Sequence, residues 1–380
     1  MYTCKRYVRG LWIGLFFLMS FQHGSVWAET DLAPSAQAAI LMDASSGRVL
    51  YEKQASEEKL IASLTKIMTA VVAIEHGDLN ELVTISENAQ GVEGSSIYLK
   101  KGEKISLETL LYGLMLRSGN DAAVAIAEHI GGSVEGFVYM MNEKVNHLGL
   151  THTQFQNPHG LDEEGHYSSA EDLGKLTAYA LKNNTFQKIV ETEVKTVSWP
   201  NEEWKRKFYN KNKMLRFYEW ANGVKTGYTK KAHRTLVSSA TKDGMQLVAV
   251  TLDDGNDWKE SMVMFEYGFK HYEQTTILKE GQKMSKKSFQ TDEGERVQIT
   301  AGHLFQFPLT EEEKRSIVVE PVISFPLRMV KNDETQVGTA RIYLKGEIIG
   351  SVPLVTTRES KDARLMRQFK QVFSMMMGRG

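Results

Sequence analysis

Residues 61–70 read Ile61-Ala62-Ser63-Leu64-Thr65-Lys66-Ile67-Met68-Thr69-Ala70. The stretch sets a hydroxyl and an amine three residues apart where a helical pattern begins. Its apolar face continues through Ile67, Ala70, Val71 and Ile74 and stops near His76-Gly77. Residues i and i+3 of a helix share a face, about 5–6 Å apart. Ser63 also falls where first-turn N–H groups are unpaired and the helix dipole is positive. A serine there gains acidity, and a nearby lysine shifts toward its neutral, basic form, which activates a serine without histidine. By itself the pattern is weak, because Ser63 reads equally well as an N-cap.

Working outward, Ala38–Met42 and Val49–Glu52 read as two strands turned by Ser45-Ser46-Gly47. Helices are expected over Leu107–Arg117, Asp121–Ile130 and Val134–His147, and another from a capping box at Ser168-Ser169-Ala170-Glu171. Thr235–Thr241 and Met245–Leu252 flank Asp243-Gly244, a strong hairpin signal. Asp257 and Glu260 form an aspartate version of the capping box for a helix to about Tyr272. Strands at both ends with helices between predict an α+β domain whose mixed sheet is completed by both termini.

Two further words share that span. Ser118-Gly119-Asn120 lies between predicted helices; its serine can relay a proton and its asparagine both donates and accepts. Helix capping is the plainer reading. Lys225-Thr226-Gly227 precedes the hairpin; on a strand beside Ser63 the first two could hold a carboxylate, and the glycine would admit substrate close to the backbone. A basic surface turn with Lys230 and Lys231 is the plainer reading here. Jointly, Ser-x-x-Lys, a Ser-x-Asn element and Lys-Thr-Gly in this order form the signature of class A β-lactamases and penicillin-binding proteins.

With these words in place the chain resembles the serine D-alanyl-D-alanine carboxypeptidases, the low-molecular-mass penicillin-binding proteins. The resemblance extends through Leu116-Arg117-Ser118-Gly119-Asn120-Asp121-Ala122, Asn157-Pro158-His159-Gly160-Leu161 and Gly223-Val224-Lys225-Thr226-Gly227-Tyr228-Thr229. It runs from about residue 35 to the end, and 112–132 is most similar to the form that endospore formers use on spore cortex. The resemblance implies a β-lactamase/transpeptidase-like domain with an antiparallel sheet, then a small β-rich domain. It implies Ser63 as acylated nucleophile, Lys66 as its base and Ser118 as proton relay to the leaving D-alanine. Asn120 would fix Lys66 and the substrate amide, Lys225 and Thr226 would bind the terminal carboxylate, and Gly227 would let substrate approach the backbone. The N–H groups of Ser63 and Tyr228 would form the oxyanion hole. The substrate would be the peptidoglycan pentapeptide, with β-lactam antibiotics as inhibitors and no cofactor. Glycine within Ser-Gly-Asn, and the lack of a Glu-x-x-x-Asn segment between the second and third words, point away from a β-lactamase. An inactive wall-binding scaffold is a rival of another class, against which every proposed catalytic position holds a competent residue.

The composition fits an exported globular enzyme. Apolar residues make up 42% and charged residues 24%, and a net charge of -1 gives no reason to expect nucleic acid. Lys5, Arg6 and Arg9 precede an apolar run, Leu11–Phe21, and Val26-Trp27-Ala28 offers a cleavage site, so 1–28 reads as a signal peptide. The run is about half the roughly 20 residues a membrane span needs. The one cysteine, Cys4, would leave with it. His152, His159 and His166 stand seven apart, a spacing that matches no usual zinc pattern, so no metal is expected.

The remaining segments divide as 29–274 catalytic, 275–356 small β domain and 357–380 tail. Short strands are expected at Val297–Thr300, His303–Pro308, Ile317–Ile323, Val337–Leu344 and Ile348–Val355. In the tail, basic residues from Arg358 onward accompany Leu365, Phe369, Val372, Phe373 and Met376 on one helical face. Such a helix suits an anionic membrane surface, placing the enzyme at the outer face of the cytoplasmic membrane, or the forespore membrane. A helix docked on the β domain is the alternative.

Overall fold

The computed structural model describes residues 31–358 except 286, 295 and 331–333, so the expected signal segment and residues 359–380 of the tail lie outside the described residues. The chain opens with strands β1 (Ala38–Asp43) and β2 (Val49–Lys53), a 3₁₀ turn at Ala62–Thr65, and helix α1 (Lys66–His76). A small hairpin of β3 (Leu82–Thr84) and β4 (Lys104–Ser106) leads into α2 (Leu107–Leu116), α3 (Asn120–Gly131), α4 (Val134–Leu148), α5 (Ala170–Ala180) and α6 (Asn184–Glu191). There follow the pair β5 (Val194–Val197) and β6 (Arg206–Tyr209), the short α7 (Met214–Phe217), strands β7 (Ala221–Thr229), β8 (His233–Lys242) and β9 (Met245–Leu252), and helix α8 (Asp257–His271).

Five strands make the main sheet in the order β2-β1-β9-β8-β7. Every pairing in it is antiparallel, so the mixed sheet expected from the element order is corrected. The cause is local: hairpins join β7, β8 and β9 in succession, and β1 enters beside β9 running the other way. Asp243 and Gly244, both at positive φ (50° and 81°), supply the tight turn between β8 and β9. Alternate residues of β1 bury on opposite faces: Ile40 and Met42 meet the helical layer of α1–α6, while Ala39 and Leu41 meet Met264 and Phe265 of α8. Helices cover both faces, so β1 is apolar almost throughout.

Two helix starts differ from expectation. Ser169, not Ser168, caps α5 by accepting from the Asp172 N–H at 3.1 Å, because Ser168 is engaged by the Thr153 hydroxyl at 2.8 Å. Asp257 and Glu260 do not form a capping box on α8: Asp257 receives the Arg234 guanidinium, and Glu260 accepts from the N–H groups of Ser35 (2.9 Å) and Ala36 (3.2 Å). Tertiary partners outcompeted the local ones.

The rest is β-rich. Strand β10 (Glu273–Leu278) pairs with β13 (Phe305–Leu309), so His303 lies outside the strand expected to include it. Strands β11 (Phe289–Gln290), β12 (Arg296–Ala301), β14 (Ile317–Ile323), β15 (Gln336–Leu344) and β16 (Glu347–Arg358) form a second sheet, ordered β11-β12-β16-β15-β14, over Ile299, Val337, Ile342 and Leu354. Thr357 and Arg358, assigned above to the tail, instead finish β16, paired with Gln298 and Val297. Among the described residues no helix is long and apolar enough to cross a membrane.

Arg48, at the start of β2, ties this region to the main sheet. Its guanidinium holds Glu313 in a two-pronged contact (2.7 and 3.0 Å) and donates to the Pro308 carbonyl at 2.5 Å. It also lies over the rings of Tyr272 and Phe307, 5.0 and 5.2 Å from their centroids.

Candidate active site

Three chain segments converge on Ser63. The first is the 3₁₀ turn, which corrects the expectation that α1 begins at the serine: the α-helix starts at Lys66 and Ser63 caps nothing. The tighter winding eclipses residues three apart, which brings Lys66 Nζ to 3.1 Å from Ser63 Oγ. The second is the α2–α3 junction. Ser118 there takes the left-handed conformation at φ 62°, while Gly119 does not. A non-glycine residue held in that region is strained; here the strain turns the buried Ser118 hydroxyl toward Lys225 Nζ, which donates to it at 3.1 Å. The third is β7, which carries Lys225, Thr226, Gly227 and Tyr228 along the rim. A Cβ on Gly227 would sit 3.1 Å from the Ser63 nitrogen and 2.4 Å from Thr235 Oγ1, so only glycine lets this strand pass so close.

Lys66 is fully buried, and its partners fix its chemistry. Nζ donates to Asn120 Oδ1 at 2.7 Å and to the His159 carbonyl at 2.6 Å. Asn120 cannot be flipped, because its Nδ2 donates to the Glu93 carbonyl at 2.6 Å. Both partners of Lys66 are acceptors only. A neutral amine spends its two N–H bonds on them and turns its lone pair toward the Ser63 hydroxyl. Burial, then the positive Lys225 and Lys211, hold the Lys66 amine well below its ordinary range and so favour that neutral form. Burial followed by Lys211 brings Lys225 down to about 7. The arrangement can take a proton from Ser63 and place a cation where a carboxylate would lie.

The structure thus brings Ser63, Lys66, Ser118, Asn120, Lys225 and Gly227 together by direct contact or close approach, and Thr226 and Tyr228 lie on the same strand, β7. Sequence reasoning missed the role of the Asn157–Leu161 loop, whose part is played by backbone. The His159 carbonyl serves Lys66, and the Pro158 carbonyl accepts from Thr69 Oγ1 at 2.6 Å. Gly160, at φ +87°, packs so tightly that a Cβ would fall 1.9 Å from the Ala62 carbonyl oxygen. Gly160→Ala is therefore expected to lose about 2–5 kcal/mol of stability from overpacking and left-handed strain, measurable by chemical denaturation. A loss below about 1 kcal/mol would show that the loop yields easily.

The spaced histidines serve this packing. His166 accepts from the Gln156 N–H through Nδ1 at 3.0 Å, so Nε2 carries the hydrogen and donates to Thr65 Oγ1 at 2.8 Å. Thr65 in turn donates to the Ala62 carbonyl at 2.9 Å. Burial, with Lys66 nearby, depresses His159 to about 3 and His166 to about 4. Among the described residues no His, Cys, Asp and Glu cluster is arranged to hold a metal.

Comparison with known proteins agrees with this geometry. Residues 26–256 match the family described as D-alanyl-D-alanine carboxypeptidase, and 272–362 match the penicillin-binding protein 5 C-terminal domain. The chain is 32% identical to D-alanyl-D-alanine carboxypeptidase DacF of Bacillus subtilis over 97% of each chain. It is also 32% identical to DacC of Escherichia coli, over 92% of this chain and 90% of that one. Among solved structures, penicillin-binding protein 5 of Haemophilus influenzae superposes with a TM-score of 0.70 at 28% identity, covering 86% of this chain and 97% of the other. The transpeptidase-like α+β fold, the Ser-x-x-Lys turn facing Lys-Thr-Gly and these full-length likenesses agree: the chain belongs to the serine D-alanyl-D-alanine carboxypeptidases, hydrolases of the penicillin-binding protein class.

Proposed function

We propose that the enzyme removes the terminal D-alanine of peptidoglycan stem peptides through an acyl-enzyme on Ser63. Lys66 takes the Ser63 proton as Oγ attacks the penultimate carbonyl, and the N–H groups of Ser63 and Tyr228 receive the developing oxyanion. Ser118 relays the proton to the departing D-alanine, Asn120 orients Lys66 and the substrate amide, and Lys225 with Thr226 holds the terminal carboxylate. Water then hydrolyses the ester. The observation that carries this reading is the set of contacts around Lys66 Nζ: two obligate acceptors and one serine hydroxyl at 3.1 Å.

Residues 29–274 would act as the catalytic domain and the β-rich region, which runs on to Arg358, as its companion. Export by 1–28 and peripheral attachment through the basic amphipathic tail would place the site at the outer membrane face, acting in cell-wall or spore-cortex maturation. The resemblance of residues 112–132 supports the cortex variant of that role.

Fluorescent penicillin labelling tests the chemistry. A long-lived adduct on Ser63 supports the carboxypeptidase, rapid turnover indicates a β-lactamase, and no adduct an inactive scaffold. Lys225 supplies a second check. Lys225→Ala should lower kcat/KM on a D-Ala-D-Ala peptide by roughly 10–100-fold, since hydrogen bonds to charged groups are worth about 1.5–3 kcal/mol. The C-terminal amide of the same peptide should lose much less; equal losses on both would remove Lys225 from carboxylate recognition.

A further inference from the structure

A third cation overlooks the cleft; it helps to depress Lys66 and Lys225, but no contact with substrate has been given to it. Lys211 lies between β6 and α7 on a segment pinned from several sides. Its N–H donates to the Leu116 carbonyl at 3.1 Å. The preceding Asn210 is fixed by its own N–H to the Glu193 carbonyl (2.8 Å) and by its side-chain amide to Thr192 (3.1 Å). From this base Lys211 Nζ reaches across to Ser95 Oγ at 2.8 Å. The Ser95 carbonyl accepts the N–H of Asn120 at 2.6 Å, which places Lys211 on the Asn120 wall, opposite β7.

Arg117, the residue before Ser118, adjoins it, and its guanidinium donates to the Tyr209 carbonyl at 3.3 Å. Among the described residues neither cation has a carboxylate within ion-pair distance. Asp121, the acid beneath this wall, is occupied by the Ser96 hydroxyl (2.6 Å) and the N–H groups of Ile97 and Leu99. Two neighbouring cations repel each other, and Lys211 is accordingly held below its ordinary range by partial burial and by Arg117. An arriving anion would relieve that repulsion.

We propose that Lys211, with Arg117 beside it, forms an anion-reading subsite for a carboxylate carried by the stem peptide on the acyl side of the scissile bond. The assignment rests on the acyl-enzyme reading above, in which the terminal carboxylate lies against β7 and the acyl portion against Asn120. The ligand chemistry is that of an acidic side chain on the residue preceding D-Ala-D-Ala, or a free α-carboxylate on a residue linked through its side chain. Lysine suits this wall as an extended point charge, and Ser95 positions it.

The test uses the exported chain and two peptides that differ only before D-Ala-D-Ala, one with a free side-chain carboxylate and one with its primary amide. The parent should favour the carboxylate by about 10-fold in kcat/KM, in keeping with a charge-assisted contact at a partly solvated rim. Lys211→Met should erase most of that preference, read as the ratio of kcat/KM on the two peptides, and Lys211→Arg should retain it. Equal losses on both peptides, with a shifted acid limb of the pH profile, would instead assign Lys211 to tuning Lys66 and overturn the subsite. So would a parent without preference, or a loss that tracks amidation of the C-terminal carboxylate. Penicillin labelling of the same preparations separates the two readings. An unlabelled Ser63 defeats the acyl-enzyme mechanism, whereas a labelled Ser63 without peptide discrimination defeats only the subsite.

Discussion

Ser63→Ala should yield a folded protein that forms no covalent adduct with penicillin and turns over D-Ala-D-Ala peptide on the order of 10⁵–10⁶-fold more slowly. Losses of that size follow when a nucleophile is removed from a site whose parts act as a unit. The fold should survive because little is left unsatisfied: Lys66 Nζ keeps Asn120 Oδ1 and the His159 carbonyl, and the alanine methyl fits where Cβ already lies. Stability should change by no more than about 0.5 kcal/mol, as for changes that disturb no buried network. Intact mass after penicillin exposure reads the outcome directly. A mass increase on the alanine variant would place the nucleophile elsewhere.

Lys66→Ala should slow acylation severely while leaving the nucleophile in place. Loss of a positioned base costs about 10²–10⁴-fold, and no other amine lies within hydrogen-bonding distance of Ser63 Oγ among the described residues. The change also leaves the Asn120 and His159 oxygens without their buried donor, at about 1–3 kcal/mol each unless water enters. The pH profile gives a sharper signature. Burial and Lys225 hold the Lys66 amine well below its ordinary range, which favours the neutral form. Acylation by the parent should then fall only as pH drops through that lowered value, and the variant should lose this acid limb altogether. An acylation rate equal to the parent's, or an unchanged limb, would show that another group accepts the proton.

The catalytic side chains were legible because each lies in a short contiguous word, and because strand and helix periods placed those words at element ends. Ser63 and Lys66 needed only a three-residue spacing, and Lys225 to Tyr228 only a strand. The misread helix starts at α5 and α8 share one cause, competition from tertiary partners that a linear pattern does not display. Ser168 was engaged by Thr153 and left capping to Ser169, and Asp257 turned to Arg234 rather than to its own helix. The His159 carbonyl was out of reach for a different reason: every residue has a carbonyl, so its service to Lys66 leaves no mark on residue choice. Residue choice did not reveal the backbone at this junction, where the left-handed conformation falls on Ser118 and not on the Gly119 beside it. A lone Lys211 amid basic neighbours gives no signal until the fold brings it to Ser95.

The Arg48 clasp has a mechanical consequence. It joins the edge of the catalytic sheet to Glu313 and Pro308, next to strand β13, by ionic, hydrogen-bonded and ring contacts at once. Such a fastening resists shear and twist in several directions, so the β-rich region works as a stiff handle in place of a swivel. Load applied at the far end of β16 would move the cleft bodily instead of tilting it.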